Sequence, residues 1–480
     1  MSSEAGRREG PGARTLKARI DARELTVGVV GLGYVGLGIA AALVRAGFDV
    51  LGLDLDADRV GRLNDGITDM PHLGADLAAD LRATGRFAAS AELDRMGGCG
   101  AVLICVPTPL DERREPDLSA VAGTAERLGR VLGAGGADDP RLVVLESTTW
   151  PGTTREVLLP ALESGGRRLG VDLFVAFSPE REDPGRRDFT TANTPRLVGG
   201  LDEASRDVAA HLYRAAVSEV VPVSSAEVAE AAKLLENIYR AVNIAMVNEM
   251  KTLLTGLGID IWEVIDAAST KPFGFQPFRP GPGLGGHCIP IDPFYMAWKA
   301  RQAGLPARFI ALAGEVNHAM PAWVVQRTRA ALEARGTDVR GARLLVLGLA
   351  YKPDVADVRE SPSFALIDQL TELGAQVDYQ DPHVPRTAPQ WRPGKPELVS
   401  ADAVLHDDAA LAAYDAVILA TNHSAYDYAR LARVARLVVD TRGALRGLDG
   451  TGGVRAAGDG GFDGGSGGGP DGGRDNVVPA

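Results

Sequence analysis

Cysteine is scarce in this chain: Cys99, Cys105 and Cys288 are the only three in 480 residues. Their spacing matches no metal site and an odd number cannot all pair. Neither a disulfide framework nor a bound metal is therefore expected, and the setting reads as reducing and cytoplasmic. No apolar run reaches the length that spans a bilayer, so no membrane helix is expected. The basic N-terminus lacks an apolar core segment and is no secretory signal. Positive charge is also short, 51 Lys and Arg against 63 Asp and Glu, for a net charge of -12. That argues against nonspecific nucleic-acid binding, while a local basic pocket for phosphate remains open. No repeat of solenoid type is visible. What is present is an ordinary globular composition, 45% hydrophobic and 24% charged, in a length that gives two or three domains. The two ends differ. Residues 1–24 carry scattered arginines without periodicity, and residues 446–480 include GDGGFDGGSGGGPDGG; both are read as disordered.

Residues 26–33, TVGVVGLG, form an apolar run ending in glycine. A helix-like segment, YVGLGIAAALVRAGF, follows, and then a second apolar run that ends in Asp54. This is a strand–turn–helix–strand unit containing Gly31-x-Gly33-x-x-Gly36. The first glycine makes the turn, the second lets backbone approach a pyrophosphate, and the third lets the helix pack on the sheet. A carboxylate about 20 residues on holds a ribose 2′-hydroxyl and repels a 2′-phosphate, so NAD is expected over NADP. A glycine-rich turn of no binding function would leave Asp54 unexplained. Further strands are expected at 101–109, 142–148 and 172–180. Thr108, Thr148 and Glu180 lie at their ends, where the ligands of such sheets sit. Each alone could be a cap or turn residue.

Ser224-x-x-Glu227 has the form of a capping box. No proline or glycine interrupts the chain from there to Gly256, which predicts a helix of about 30 residues, roughly 45 Å long. Glu230, Lys233, Asn237, Ile244 and Asn248 fall on one face. A helical lysine is most often a solvated edge residue. In an alanine-rich, buried-looking helix, Lys233 and Asn237 ask for a polar partner, which a bound substrate could supply. Apolar residues run nearly all round, so the helix is expected between domains or between the subunits of a homodimer.

The stretch Lys271–Met296, KPFGFQPFRPGPGLGGHCIPIDPFYM, concentrates proline and glycine around one cysteine. A cysteine is commonly a small buried hydrophobe. Near a helix N-terminus its thiolate is favoured. Asp292, four residues after Cys288, would share a face with it on one helical turn, or could be a plain N-cap before Pro293. His287 is read as a structural neighbour. A second α/β block begins at 342–349, with a helix from Ser361 to Leu373 and later strands at 414–421 and 437–443. Its first turn, Gly348-Leu-Ala-Tyr-Lys352-Pro, is no dinucleotide fingerprint. It presents Lys352, and further on Arg359, to the strand-end crevice, where basic groups suit a phosphate. The fold class is thus α/β, two Rossmann-like doubly wound domains joined by a long central helix.

The segments VGVVGLGYVG, VPTP, ESTTWPGTT, SPERxDPG, AAKLLENxYRAVNIAxxNE, GPGLGGHCIPIDP and GLAYKPDVADVRESP occur here in one order. With them the chain resembles the UDP-glucose/GDP-mannose dehydrogenase family over residues 25–445. The resemblance implies an NAD-binding domain at 25–223, a helical central and dimerisation domain with the cysteine at 224–335, and a UDP-sugar-binding domain at 336–445. It implies oxidation of a sugar C6 alcohol to a carboxylate with two NAD in succession, through a thiohemiacetal and a thioester. Position by position, it implies Cys288 as nucleophile and Asp292 as its paired carboxylate. Lys233 and Asn237 would stabilise the oxyanion and position the sugar. Glu180 would serve the hydrolysis and Thr148 would order water and cofactor. Gly31, Gly33, Tyr34, Val35, Gly36, Asp54, Arg59, Thr108 and Arg359 would meet the cofactor; Arg279, Gly285, Lys352 and Arg442 would meet the UDP-sugar. Two departures stand out. The second acid common after Ser-Pro-Glu cannot be placed on one residue, and Ile291 stands where the family commonly has a basic residue.

The lead-in KPFGFQPF looks most like members that oxidise UDP-N-acetylglucosamine. Phe273, Phe275 and Phe278, with Pro277, Pro280 and Pro282, would make a stiff apolar wall for an acetamido methyl, or would simply be core. UDP-N-acetylmannosamine, UDP-N-acetylgalactosamine, UDP-glucose and GDP-mannose are the alternative sugars. From other classes, a two-electron hydroxy-acid dehydrogenase would have no use for the thiol, and an inert nucleotide-sugar-binding protein would have none for the set Lys233, Asn237, Cys288 and Asp292.

Overall fold

The computed structural model describes residues 10–68, 70, 73–74, 76–111, 113–181, 190–286, 289–448 and 476–480. The chain divides into two compact units, Met1–Asn237 with Ile291–Ala307, and Ile238–Pro290 with Arg308–Ala480. The segment 224–335 is thus shared between the two.

The first unit is built on eight strands: β1 Thr26–Val30, β2 Asp49–Leu53, β3 Phe87–Ser90, β4 Ala101–Ile104, β5 Arg141–Leu145, β6 Leu173–Phe177, β7 Arg196–Gly200 and β8 Val220–Val223. Their order is β3-β2-β1-β4-β5-β6-β7-β8. Every neighbouring pair is parallel except β6 with β7. Strands covered on both faces read as continuous apolar runs, and β4 and β6 are buried at every residue. The order reverses at β1, which pairs with β2 on one side and β4 on the other. Such a reversal opens a crevice beyond the carboxyl ends of the strands. Gly31, Asp54 and the segment from Cys105 to Thr108 follow those ends.

The second unit carries β9 Arg343–Leu347, β10 Gln376–Gln380, β11 Ala416–Leu419, β12 Val438–Asp440 and β13 Val477–Pro479, in the order β10-β9-β11-β12-β13, all parallel. The expected long helix is Ala226–Gly256, starting in the first unit and ending in the second. Its cap lies one residue later than Ser224: the Ser225 hydroxyl accepts from Val228 N at 3.3 Å. Glu227 instead pairs with Arg155 at 2.7 Å. Among the described residues no helix is long and apolar enough to cross a membrane.

Two expectations of disorder are corrected. Residues Pro11–Ala22 form a helix whose Ala13, Leu16 and Ile20 are fully buried in the first core. Their spacing of three and four is the helical signal that the scattered arginines masked. The helix ends at Arg23 in the left-handed region, φ 59°. Arg23 donates to Ala46 O at 2.9 Å and lies over the Phe48 ring. At the other end, Asn476–Ala480 return to the second sheet. β13 pairs with β12, and Ala480 N donates to Asp440 O at 3.0 Å. The carbonyl of Ala480 accepts from the buried Lys251 ammonium, which also reaches Thr441 O at 3.3 Å.

Deleting buried methyls leaves a cavity, so Leu16→Ala should lower the stability of the first unit by about 2–4 kcal/mol. Denaturant unfolding measures it, and a loss below about 0.5 kcal/mol would return residues 10–24 to the status of a loose arm.

Candidate active site

The turn after β1 is shaped for a ligand. Gly31 takes φ 94° and its N–H donates to Leu53 O at 2.7 Å. A Cβ on Gly36 would stand 1.8 Å from Gly31 O, so the helix can pack this close only with glycine there. At Gly33 a Cβ would meet nothing within 4 Å. Gly33 is also the N-cap of the helix Tyr34–Arg45, whose first turn holds Tyr34 and Val35. Helix-terminal N–H groups at an open space suit a pyrophosphate. Asp54 braces the turn: its carboxylate accepts from Leu32 N and Asp56 N, each at 3.0 Å, and Arg59 sits 3.6 Å away. Glycine turn, open space and acid together fit a dinucleotide.

Lys233, Asn237 and Asp292 come together as buried side chains. Asn237 Nδ2 donates to Asp292 Oδ2 at 2.5 Å, and the Lys233 charge acts on the same carboxylate. Desolvation pushes Asp292 up to about 6, against the opposing pull of Lys233 and Asn237. The polar partner that the lysine and amide required is thus Asp292. It is the first residue of the helix Asp292–Gln302 and caps nothing with its side chain. Residues 289–291 form a turn ahead of that helix. His287 and Cys288 lie outside the described residues, as do Glu182 and Asp183.

The helix Asp292–Gln302 is pinned to the loops that follow β4 and β5. Tyr295 donates to Pro109 O at 3.2 Å and bonds the side chain of Thr108. The Trp150 ring lies 6.1 Å from that of Tyr295 and 4.5 Å from that of Trp298. Lys299 holds Glu156 at 2.7 Å. Thr148, half-buried, follows β5 just before Trp150. From the long helix, Glu230 accepts from Gly152 N at 2.6 Å, Thr154 N at 2.9 Å and Thr154 Oγ1 at 2.7 Å. Desolvation raises it to about 7 despite those bonds. Tyr295 and Glu230 set the walls of this site, and neither was singled out for that role from the sequence.

Glu180 follows β6. Its carboxylate accepts from Arg181 N at 2.7 Å. Arg181 pairs with Glu236 at 2.7 Å, one residue from Asn237 on the long helix. Beneath Glu180 lies a group the sequence reading missed: Arg196, Glu146 and Tyr213, all buried. The signals were there, an arginine opening the apolar strand RLVGG and an acid ending LVVLE.

In the second unit, Gly286 N donates to Arg359 O at 2.9 Å, and a Cβ on Gly285 would stand 2.5 Å from Tyr351 Cβ. Asn248 accepts from Gly281 N at 3.0 Å and donates to Asn317 at 2.9 Å. Arg442 lies beside Gly281, donates to Ala420 O at 2.7 Å, and is lowered to about 10 by desolvation. Lys352 is half-buried. The Arg359 guanidinium is engaged by Asp357, at 2.9 and 3.0 Å from Nε. Arg279 is exposed, 3.3 Å from Asp266. Phe273 is 71% exposed and Phe278 stands edge-on to Tyr239 at 5.7 Å, so this lead-in is not core.

Residues 25–217 match the model for the NAD binding domain of the UDP-glucose/GDP-mannose dehydrogenase family, residues 227–319 the central domain, and residues 345–447 the UDP binding domain. The chain is 34% identical to a UDP-N-acetyl-D-glucosamine 6-dehydrogenase of Pseudomonas aeruginosa, over 84% of this chain and 92% of that protein. It is 32% identical to a UDP-N-acetyl-D-mannosamine dehydrogenase of Pyrococcus horikoshii, over 83% and 90%. A solved structure of a UDP-D-ManNAc dehydrogenase from Pyrococcus horikoshii superposes with a TM-score of 0.77 at 30% identity, covering 87% of this chain and 95% of that one.

The raised Asp292 carboxyl should appear as an acid limb near pH 6 in kcat/KM, absent in Asp292→Asn, whose rate should fall by about 100-fold. The shift also carries a sign for stability. The native state favours the protonated carboxyl, so its contribution is greatest below the ordinary carboxylate range and is lost as pH rises through about 6. A pH–rate profile that Asp292→Asn leaves unchanged would exclude this group from the reaction.

Proposed function

Because the chain belongs to the UDP-glucose/GDP-mannose dehydrogenase family, we propose that it oxidises the C6 alcohol of UDP-N-acetylglucosamine to the uronate in four electrons. As a member it is an NAD-dependent UDP-sugar dehydrogenase. The observation that carries the finer reading is the buried group Lys233–Asn237–Asp292.

NAD, which the Gly31–Gly36 turn and Asp54 would hold, supplies the hydride acceptor for both oxidations. The sugar oxygen gathers negative charge as its carbon is oxidised. Lys233 and Asn237 offer it a cation and an amide donor in a water-poor setting, where such groups act strongly. Cys288 adds to the aldehyde as thiolate, giving the thiohemiacetal and, after the second oxidation, a thioester. Asp292, four residues on, takes up and returns the protons of these steps. Water then attacks the thioester carbonyl, with Glu180 as base and Thr148 ordering the water.

For the sugar, the name of the 34%-identical relative and the exposed aromatic lead-in support an acetamido substrate. A methyl in a pocket is worth about 1 kcal/mol or somewhat more, so UDP-glucose is expected as a slow substrate. UDP-N-acetylmannosamine is the second reading, supported by the names of the Pyrococcus horikoshii relative and solved structure. A homodimer belongs to the same proposal. The long helix leaves Leu235 65%, Met246 49% and Leu253 56% exposed, apolar surface that a second copy would cover.

With each sugar and with NAD or NADP side by side, two NADH per uronate are expected, fastest with UDP-N-acetylglucosamine and NAD. Cys288→Ala should bind both ligands and form no uronate. One NADH per sugar would point to a two-electron dehydrogenase, none with any sugar to an inert binding protein, and a faster UDP-glucose would replace the sugar assignment alone. Sedimentation at micromolar concentration should show a dimer, and a monomer there would remove the helix from the interface.

A further inference from the structure

Arg196 opens β7 in a sheet interior where an arginine is costly to bury. Its guanidinium is nevertheless engaged on every edge. Nε donates to Ser178 Oγ at 2.9 Å, and that hydroxyl donates to Leu197 O at 2.8 Å. Nη2 donates to Glu146, which closes β5, in a short charge-assisted bond. Nη1 lies 3.8 Å from Glu180 Oε2. Its flat face rests on the Tyr213 ring, 4.6 Å from the centroid. Tyr213 in turn donates its hydroxyl to Glu146, and the Cys105 side chain bonds the same carboxylate. Ser178, two residues before Glu180, is thus tied by the same group that faces the Glu180 carboxylate.

The distances divide the labour. Glu146 is satisfied by Arg196, Tyr213 and Cys105, so it anchors the cation. Glu180 stands within ion-pair range but beyond hydrogen-bond range of Arg196. Attraction at 3.8 Å draws the carboxylate towards the guanidinium without a direct bond between them.

We propose that Arg196, anchored by Glu146 and Tyr213, is the positioning residue that holds Glu180 in place and aimed for hydrolysis of the thioester. The role rests on the reading of Glu180 given above. In the step it serves, a water oxygen bonds to the thioester carbon and a water proton passes to Glu180. The C–S bond then breaks and sulfur leaves as thiolate; nothing is oxidised or reduced.

Among the described residues, the groups facing Glu180 give variants of opposite sign. Arg196 on β7 is the cation, and Arg181 beside it is occupied by Glu236. Glu146 on β5 is the opposing anion; Cys105 after β4 and Tyr213 on the helix Glu203–Arg214 are neutral donors to it. Removing the cation in Arg196→Gln should raise the pH at which acyl-enzyme breakdown turns on by about one unit or more. Removing the anion in Glu146→Gln, which keeps the shape, should lower it by a similar amount.

The experiment mixes enzyme, NAD and UDP-sugar, quenches at intervals, and follows the acyl-enzyme by intact mass across pH. Circular dichroism confirms that each variant is folded. Glu180→Gln is the control and should accumulate acyl-enzyme at every pH. Limbs displaced in opposite directions support the positioning role. Acyl-enzyme accumulation in Glu180→Gln with both limbs unmoved, or moved the same way, overturns that role alone. No acyl-enzyme in Glu180→Gln overturns the assignment of Glu180 and the positioning role with it. Should Arg196→Gln fail to fold, Glu146→Gln by itself decides, since its limb must fall.

Discussion

The first unit depends on how one carboxylate is buried. Asp292 leaves water to open a helix, and isolated burial of that charge would cost far more than a helix start returns. Lys233 and Asn237, one turn apart on the long helix, make the burial tolerable. Tyr295 and Trp298, on the following turns, then fix where the helix Asp292–Gln302 lies against the loops after β4 and β5. The proposed catalytic requirement and the packing requirement therefore fall on the same three side chains.

The two sheets also show how one architecture is opened for one ligand and closed to it elsewhere. Each places an acid after its second strand, against the turn after its first. In the first unit Asp54 accepts from a single turn N–H, Leu32, and at Gly33 the space is open. In the second, Asp381 accepts from both Leu349 N and Ala350 N, at 2.7 and 2.8 Å, and from the buried His423 at 3.0 Å. Where the first turn has Gly33, this one has the fully buried Ala350. The N–H groups that would face a pyrophosphate are thereby used internally. The absence of a dinucleotide fingerprint after β9 thus has a structural counterpart in donors already spent.

Much of this was legible in the chain because it rests on local rules. Apolar runs marked β1, β2, β4, β5, β6, β9, β11 and β12, since a strand buried on both faces must be apolar throughout. The glycine spacing marked the dinucleotide turn, because backbone approach there leaves no room for a side chain. Lys233 and Asn237 stood out as polar groups four apart in an apolar helix. The N-terminal helix was missed because three buried apolar residues among three basic ones give a weak local pattern. β13 was missed because a three-residue strand after a glycine-rich stretch has almost no local pattern at all.

By itself, then, the sequence determined the two α/β blocks, the long helix, the dinucleotide turn and the residue types from which a dehydrogenase site can be built. Only the tertiary structure decided who meets whom. It chose Asp292 as the partner of Lys233 and Asn237, gave Glu230 to the turn at Gly152, and set Arg196 between Glu146 and Glu180. The reason is physical. Strand and turn formation answer to neighbours a few residues away, whereas a buried charge is satisfied by whichever opposite group the packing brings within a few ångströms, and these partners lie 16 to 78 residues apart in the chain.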